Sequence, residues 1–266
     1  MNEDNCVLLI KTVQIAPIRN LCSSIKDIIS DINIQFTSEG IRIINFDKSH
    51  TILVNVTLHA DKFEEYYCKP EKIVICANTQ QLFKVICTIS NNDTLIMYIE
   101  NCDYHDGVVT YLGLKYDNGD IKQCYCQKLR LMDPDPEVLV LPNITYSTII
   151  NLPSVDFQKS IRDLSSLSDK IEIKSVASDL IFSCVGTFAS SQICRTEMDS
   201  FMGFTQRPTD PSSVIQGIFS LKSLSQFIKC TPLCNTVEIY LSNDLPLICS
   251  YDVASLGDIK LCLSSL

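Results

Sequence analysis

Along most of the chain, hydrophobic and polar residues alternate in short runs, a pattern typical of β-strands that bury one face. The clearest case is INIQFTSEGIRIINFD, residues 32–47, where two alternating runs flank a turn at Ser38-Glu39-Gly40. This arrangement predicts a β-hairpin. Further alternating runs predict strands at 50–60, 94–99, 121–131, 169–174, 180–186, 236–241, 245–253 and 258–266.

Four segments instead carry apolar residues at helical spacing. The first predicted helix covers residues 17–30, with apolar side chains at Ile18, Leu21, Ile25, Ile28 and Ile29. The other three predicted helices cover residues 79–89, 157–167 and 221–230. Short helices distributed among many strands indicate an α+β fold.

The order of elements recurs in the second half of the chain, and some letters recur with it. IKDI at 25–28 resembles IRDL at 161–164. Cys87-Thr88, Asn92 and Ile96 also recur, at identical spacing, as Cys230-Thr231, Asn235 and Ile239. These matches predict an internal duplication.

The joint of this duplication is LRLMDPDPEVLVLPN, residues 129–143. Pro134, Pro136 and Pro142 remove backbone donors and favour extended geometry, so the segment is neither a helix nor a central strand. The stretch from 133 to 142 spans at most roughly 33–36 Å. Its apolar residues Val138, Leu139 and Leu141 either lie on the protein or receive a partner.

At 266 residues and 46% hydrophobic, the chain is large enough for one big domain or two of average size. No apolar run reaches transmembrane length, and the start of the sequence lacks a secretory signal. The fourteen cysteines are scattered without a CxxC pair, which favours reduced thiols in an intracellular protein. The net charge of −9 argues against a nucleic-acid coat unless the cations are gathered on one face.

Catalytic and metal motifs are missing from the sequence. The three histidines have no metal-ligand spacing, and no P-loop, GxGxxG or GxSxG occurs. The pairs Cys124/Cys126 and Cys230/Cys234 fit packing better than zinc, and Asp133-x-Asp135 fits a solvated, extended segment. We therefore predict no catalytic residues, no metal site, no cofactor and no enzymatic activity.

Basic residues lie on all four predicted helices, at spacings that place them on one face. These residues are Arg19, Lys26, Lys84, Lys159, Arg162, Lys222 and Lys229. One interpretation is that they are ordinary solvated side chains of amphipathic helices. The other is a single positive surface that contacts the phosphates of a polyanion without reading base sequence.

Four segments carry a family resemblance: residues 46–68, 129–142, 152–173 and 224–263. The motifs IRDLS and KCTPL with TVEIYLSNDLPL are the most specific. Through them the chain resembles the family of proliferating cell nuclear antigen (PCNA), the sliding clamps of DNA polymerases. The resemblance implies a DNA clamp fold with two similar domains of repeated β-α-β-β-β units, in which strands lie outside and helices inside a ring. The expected domains are 1–130 and 143–266, joined by a connector at 131–142.

The resemblance also implies roles for individual residues. The seven helix cations match positions that face DNA in the ring, whereas Cys87 stands where many members have a further lysine. A pocket for PIP-box peptides is expected at Phe46, His50, Leu53, Leu139, Leu141, Pro142, Pro246, Cys262, Leu263 and Ser264. It is expected to be shallower than usual, because Cys262 replaces an aromatic residue and Ser265 a proline. The subunit interface is expected to pair an edge strand in 120–131 with one in 183–196, through Cys124, Tyr125, Phe188 and Ile193.

The implied partners are double-stranded DNA without sequence specificity, two further copies of the chain, DNA polymerase and other PIP-box replication and repair proteins, and an ATP-driven clamp loader. No membrane partner is expected. The implied location is the nucleus, or a cytoplasmic replication site for a viral protein. Two alternatives stay open at this point: a subunit of a heteromeric clamp, and an acidic interaction scaffold that has the fold but does not encircle DNA.

Overall fold

The computed structural model describes residues 5–118, 123–134, 144–198, 202–210 and 212–266. Contacts between residues divide the chain into two compact units. The first comprises residues 1–47, 55–139 and 253–258, and the second comprises 48–54, 140–252 and 259–266.

The first half of the described chain contains eleven strands and two helices. In chain order they are β1 (Cys6–Thr12), α1 (Ile15–Ile25), β2 (Asp31–Thr37), β3 (Gly40–Phe46), β4 (Ile52–His59), β5 (Glu65–Cys68), β6 (Ile73–Asn78), α2 (Thr79–Ile86), β7 (Thr94–Glu100), β8 (Tyr104–His105), β9 (Val108–Val109), β10 (Tyr111–Asn118) and β11 (Gln123–Arg130). Short 3₁₀ turns cover Ala60–Lys62 and Asn101–Asp103.

The second half of the described chain contains nine strands and two helices. They are β12 (Thr148–Pro153), α3 (Ser154–Ser165), β13 (Lys170–Val176), β14 (Asp179–Val185), β15 (Ser190–Thr196), β16 (Gly203–Gln206), β17 (Val214–Ser220), α4 (Leu221–Phe227), β18 (Thr236–Leu241), β19 (Leu247–Val253) and β20 (Gly257–Leu263). A 3₁₀ turn over Ile228–Cys230 continues α4.

In the first unit, antiparallel strands form one sheet in the order β11-β10-β7-β1-β5, and β4, β3, β2 and β6 are neighbours in a second sheet. Helices α1 and α2 pack against each other. Both bury an apolar stripe, of which Ile18, Leu21 and Ile86 are members. The core therefore lies between the helix pair and the strands, as one-sided amphipathic elements require.

The second unit repeats this arrangement. One set of strands follows the order β16-β12-β18-β19-β20, and a four-stranded sheet follows β15-β14-β13-β17. Helices α3 and α4 pack together, and Phe157, Leu164 and Phe227 are completely buried. Four β-α-β-β-β blocks, each beginning with the strand before a helix, thus make up most of the described chain, which confirms the predicted α+β fold.

The helices and strands confirm most predicted elements, with differences at the helix ends. α1 ends at Ile25, so that Ile28 and Ile29 are buried in the turn leading to β2 and not in the helix. α4 ends at Phe227, and Lys229 therefore lies in the 3₁₀ turn. Strand β1 was not predicted, because both of its faces are buried and it does not alternate. Strands β5, β6, β12, β16 and β17 were not predicted from the pattern either.

The two short sequence matches that suggested the duplication do not align the equivalent helices and strands of the two units. Strands β2 and β13 begin 139 positions apart, at Asp31 and Lys170, whereas IKDI and IRDL are 136 apart. Helices α2 and α4 begin 142 positions apart, whereas the second set of letters is 143 apart. A shift of one residue exchanges the two faces of a strand, so Ile96 does not correspond to the buried Ile239. The repeat is a repeat of elements and burial pattern, not of those letters.

Replacing Gly40 with alanine is expected to destabilise the protein strongly. Gly40 has φ +143°, and a Cβ there would lie 2.0 Å from the carbonyl oxygen of Leu58. Both the backbone conformation and the clash act against the substitution, at a cost of about 3 kcal/mol or more. Urea unfolding monitored by circular dichroism measures this cost.

Gly107→Ala is the matched control, because Gly107 also has positive φ, at +88°, but a Cβ there meets nothing within 4 Å. Its expected cost is about 1 kcal/mol from the backbone alone. Equal destabilisation by the two substitutions would contradict the close approach of Leu58.

Candidate nucleic-acid interface and subunit edges

Each of the four helices has a polar stripe on the side opposite its buried residues, and every predicted cation lies on or next to such a stripe. In α2 the stripe is formed by exposed Gln80, Lys84 and Cys87, the last of which caps the helix. In α4 and its 3₁₀ extension it contains Lys222, Gln226 and Lys229.

Arg19 on α1 is held by its own unit. Its guanidinium group donates a hydrogen bond to Asn91 Oδ1 at 3.0 Å and another to the carbonyl oxygen of Ile89. Ile89 is buried in the turns that follow α2. The side chain therefore ties α1 to the end of α2, and only part of its donor set remains for any other partner.

Lys26 is also engaged within the first unit. Its ammonium group lies 4.9 Å from the centre of the Phe83 ring on α2 and 3.3 Å from a carboxylate oxygen of Asp27. Gln80 donates a hydrogen bond to the Lys26 carbonyl oxygen at 3.2 Å, so backbone and side chain both fix the α1–α2 contact. Lys84, by contrast, is exposed and forms no ion pair with a described residue.

The second unit presents its cations more openly. Lys159 and Arg162 lie three residues apart on the exposed face of α3, and Lys222 is exposed near the start of α4. None of these three forms an ion pair with any residue that the structure describes. Gln158 on α3 donates a hydrogen bond to the Ile228 carbonyl oxygen at 3.1 Å and fixes the helix pair beneath them.

The two units therefore differ in available positive charge. In the first unit, two of the three helix cations contact neighbouring groups of the protein. In the second, Lys159, Arg162 and Lys222 are exposed and form no ion pair with a described residue, and Lys229 is exposed as well. Helices α2 and α4 are offset by 142 positions, so Cys87 is the structural equivalent of Lys229. The first unit therefore has an uncharged residue where the second unit has a lysine.

Residues expected to receive a partner peptide are partly on the surface and partly in the core. Leu263 is only 1% exposed, because β20 turns Ile259, Leu261 and Leu263 to its buried face, so its side chain is a core residue and not a surface contact. Leu53 is buried as well, whereas Phe46, His50 and Ser264 are exposed and Pro246 and Cys262 half-buried. Leu139, Leu141 and Pro142 lie outside the described residues.

Tyr146 fixes the backbone at Pro246. Its hydroxyl group donates to the Pro246 carbonyl oxygen at 2.9 Å, and burial raises the pKa of Tyr146 to about 12. The tail is fixed too, since the Ser264 amide donates to the Thr51 carbonyl oxygen at 3.2 Å. This part of the second unit is thus an ordered surface that includes half-buried Pro246 and Cys262.

The strands expected at a subunit interface are both sheet edges. Among the described strands, β11 pairs only with β10, and β15 pairs only with β14. Cys124 and Tyr125 are exposed on β11. Ile193 lies half-buried on β15, while Phe188 is 76% exposed in the loop before it. Val185, at the end of β14, is 81% exposed and was not predicted, although an apolar residue directly before Gly186 could have indicated it.

One cluster of potential metal ligands, Glu100, Cys102 and Asp103, occurs in the described part of the chain. The Lys128 ammonium group lies 2.6 Å from the Glu100 carboxylate and 2.8 Å from that of Asp103. Hydrogen bonds to Asp103 and Glu100 raise the Lys128 pKa. One lysine therefore pairs with both carboxylates and occupies the space between them, which argues against a cation site there.

No described helix is long and apolar enough to cross a membrane.

Comparison with known proteins finds one family over almost the whole chain. The model of the proliferating cell nuclear antigen N-terminal domain matches residues 7–138, and that of the C-terminal domain matches residues 140–266.

Two curated relatives illustrate the similarity. "Probable DNA polymerase sliding clamp 1" of Paramecium bursaria Chlorella virus 1 is 30% identical over 98% of this chain and 97% of its own length. "Proliferating cell nuclear antigen" of Chaetomium thermophilum is 29% identical over 90% of both chains.

Arg19→Ala is expected to lower the free energy of unfolding by about 1–3 kcal/mol, since it removes two hydrogen bonds and leaves the carbonyl oxygen of buried Ile89 without its donor. Lys159→Ala, on an exposed stripe, is expected to change the free energy by no more than about 0.5 kcal/mol. Denaturant titration of both variants compares them. Similar small effects would show that Arg19 does not tie the two helices together.

Proposed function

This chain belongs to the proliferating cell nuclear antigen family of sliding clamps, and from that premise we propose that it encircles duplex DNA as a homotrimeric ring and tethers a DNA polymerase to its template. The family acts as a non-enzymatic processivity factor. Accordingly, the proposed work of the helix surface is to hold and guide DNA, not to change it chemically.

The observation that carries the DNA-binding proposal is the placement of cations in an acidic protein. The net charge is −9, yet all four helices carry a basic residue on or beside the polar stripe. Phosphates are contacted without regard to base sequence, and each contact that releases a counterion adds about 0.9 to the slope of log affinity against log salt. A ring needs only weak contacts of this kind, because topology and not affinity retains it on DNA.

Subunit contacts in this proposal run head to tail, with β11 of one subunit beside β15 of the next. Both strands have an unpaired edge in the described structure, and an unpaired edge is a template for another strand. The two surfaces differ, so the contact is heterologous and a fixed rotation closes it into a ring. Exposed Phe188 and Val185 beside β15 would become buried there.

Polymerase and other PIP-box proteins are proposed to bind the second-unit surface around His50, Pro246, Cys262 and Ser264, together with the connector. The fixed backbone at Pro246 and at Ser264 supports this assignment, because a preformed surface costs less ordering on binding. A clamp loader is proposed to open the ring, and the proposed location is the site of DNA replication.

Reversing the exposed second-unit charges is the decisive test of the DNA surface. The triple substitution Lys159→Glu, Arg162→Glu and Lys222→Glu is expected to abolish stimulation of processive synthesis, because it replaces attraction for the backbone by repulsion. A primer-extension assay with polymerase and clamp loader measures product length.

A matched triple, Arg42→Glu, Lys69→Glu and Lys72→Glu, changes the net charge equally at exposed positions away from the helices. It is expected to keep full stimulation. If both triples behave alike, the effect belongs to net charge and the helix surface is not the DNA contact.

Phe188→Glu is expected to dissociate the ring, since it places a charge at the proposed subunit contact. Light scattering should give three times 29.9 kDa for the unmodified protein and 29.9 kDa for the variant. Val108→Glu, at a 54% exposed apolar residue on the β8–β9 hairpin, serves as the control and should stay trimeric. A stable monomer before any substitution would instead favour a heteromeric clamp.

A further inference from the structure

Exposed thiols are concentrated on the two unpaired sheet edges. Five of the fourteen cysteines are exposed: Cys87, Cys102, Cys124, Cys126 and Cys194. Cys124 and Cys126 lie on β11, and Cys194 lies on β15. Three of five exposed thiols thus lie on the strands proposed to meet between subunits.

Cys124 and Cys126 share the face of β11 that is turned away from the helices. The intervening Tyr125 stacks on buried Tyr116, with ring centres 5.0 Å apart. The Tyr116 hydroxyl lies 3.2 Å from the Thr88 hydroxyl, in the turn directly after α2, so Tyr125 occupies the helix side of the sheet. Successive side chains alternate between faces, which places both thiols on the other side.

Cys194 has the same orientation on β15. Its neighbour Ile193 lies opposite completely buried Phe182 on β14. Its other neighbour, Arg195, forms an ion pair of 3.0 Å with Asp156 on α3. Both neighbours therefore face the helix side, and Cys194 faces away from it.

We propose that oxidation of the assembled ring by a peroxide links Cys194 of one subunit to Cys124 or Cys126 of the next, closing each subunit contact with a disulfide. The inference rests on the proposed trimer. In that ring the helices of every subunit lie inside, so all three thiols lie on the outer face of the contact, where a small oxidant reaches them.

Cross-strand geometry allows this bond where β11 and β15 pair antiparallel, as each of them does with its neighbour in its own sheet. Directly opposed residues of paired antiparallel strands have Cβ atoms about 4.5–5.5 Å apart, closer at non-hydrogen-bonded pairs, and a disulfide needs about 3.5–4.5 Å. Because Cys124 and Cys126 are two residues apart on one face, two different strand registers each place one of them opposite Cys194.

The chemistry requires only the peroxide. One thiolate attacks the O–O bond, giving a sulfenic acid and releasing hydroxide. The thiolate of the facing cysteine then attacks that sulfur, so that the S–S bond forms and the S–O bond breaks. Two thiols and one hydrogen peroxide give one disulfide and two waters.

A ring closed in this way cannot be opened at its subunit contacts until a thiol reductant restores the cysteines. Oxidation would thus stop loading onto DNA while leaving rings already on DNA in place. In a reducing compartment such a disulfide is transient, as expected of a redox-responsive device.

The test treats the purified trimer with hydrogen peroxide and separates the products on a denaturing gel without reductant. Unmodified protein is expected to give covalent dimers and trimers that dithiothreitol reverses. Cys194→Ser should lose them completely, whereas Cys87→Ser, at the exposed thiol that caps α2, should form them as before. Desolvation, Cys126 and Asp117 raise the pKa of Cys124, despite the opposing charge of Lys115. Because the thiolate is the reactive form, the reaction is run both at pH 7 and at about pH 8.5.

Light scattering before oxidation separates this inference from the proposed function. A trimer that forms no cross-link, or that still cross-links after Cys194→Ser, overturns the disulfide and leaves the clamp proposal intact. An internal Cys124–Cys126 bond, seen as an oxidised monomer by mass spectrometry in place of the dimers, overturns it too. A monomer before oxidation contradicts both proposals at once.

Discussion

The packing of helix pairs against sheets is the constraint on which the rest of this structure depends. Each helix buries one apolar stripe, and the pairs α1–α2 and α3–α4 are fixed by side chains that donate to backbone carbonyls of the partner helix or its extension, Gln80 to Lys26 and Gln158 to Ile228. With one stripe buried, only the opposite stripe is available for a partner. A chain that uses the same block four times thereby obtains four similar polar stripes, and the residues on them decide what the surface contacts.

Those stripes have diverged between the two units. The first unit uses Arg19 and Lys26 to fix its own helices, and its remaining stripe cation is Lys84. In the second unit, no ion pair joins Lys159, Arg162 or Lys222 to a described residue. A guanidinium group that donates to the carbonyl oxygen of a buried residue stabilises the fold and has fewer donors left for a ligand. The duplicated architecture is therefore preserved while its charge is redistributed.

Sequence alone predicted the β2–β3 hairpin with its turn before Gly40 and the presence of four short helices. It missed β12, although the burial of that strand alternates. It could not predict β1, since strands buried on both faces carry no alternating signal. It assigned Leu263 to a surface, because the face of a strand depends on register and register is set by distant neighbours. It identified the helix cations, but a sequence does not show that Arg19 has an acceptor in Ile89, 70 residues away. The domain limits, the roles of the site residues and the partner contacts remain predictions.

The acidity of the chain and its basic stripes are two parts of one argument. A protein of net charge −9 repels DNA over most of its surface, so non-specific adhesion from outside is weak. In the proposed complex, attraction comes from places where several cations gather, and on the helix stripes of the second unit these cations include Lys159, Arg162 and Lys222. Weak, local attraction is a disadvantage for a protein that must bind DNA by affinity, but it suits one that must move along DNA, because strong phosphate contacts would have to be broken at every step. The unpaired edges of β11 and β15 complete this argument: if they close a ring, retention no longer depends on the charges, and the charges are free to be as few as sliding requires.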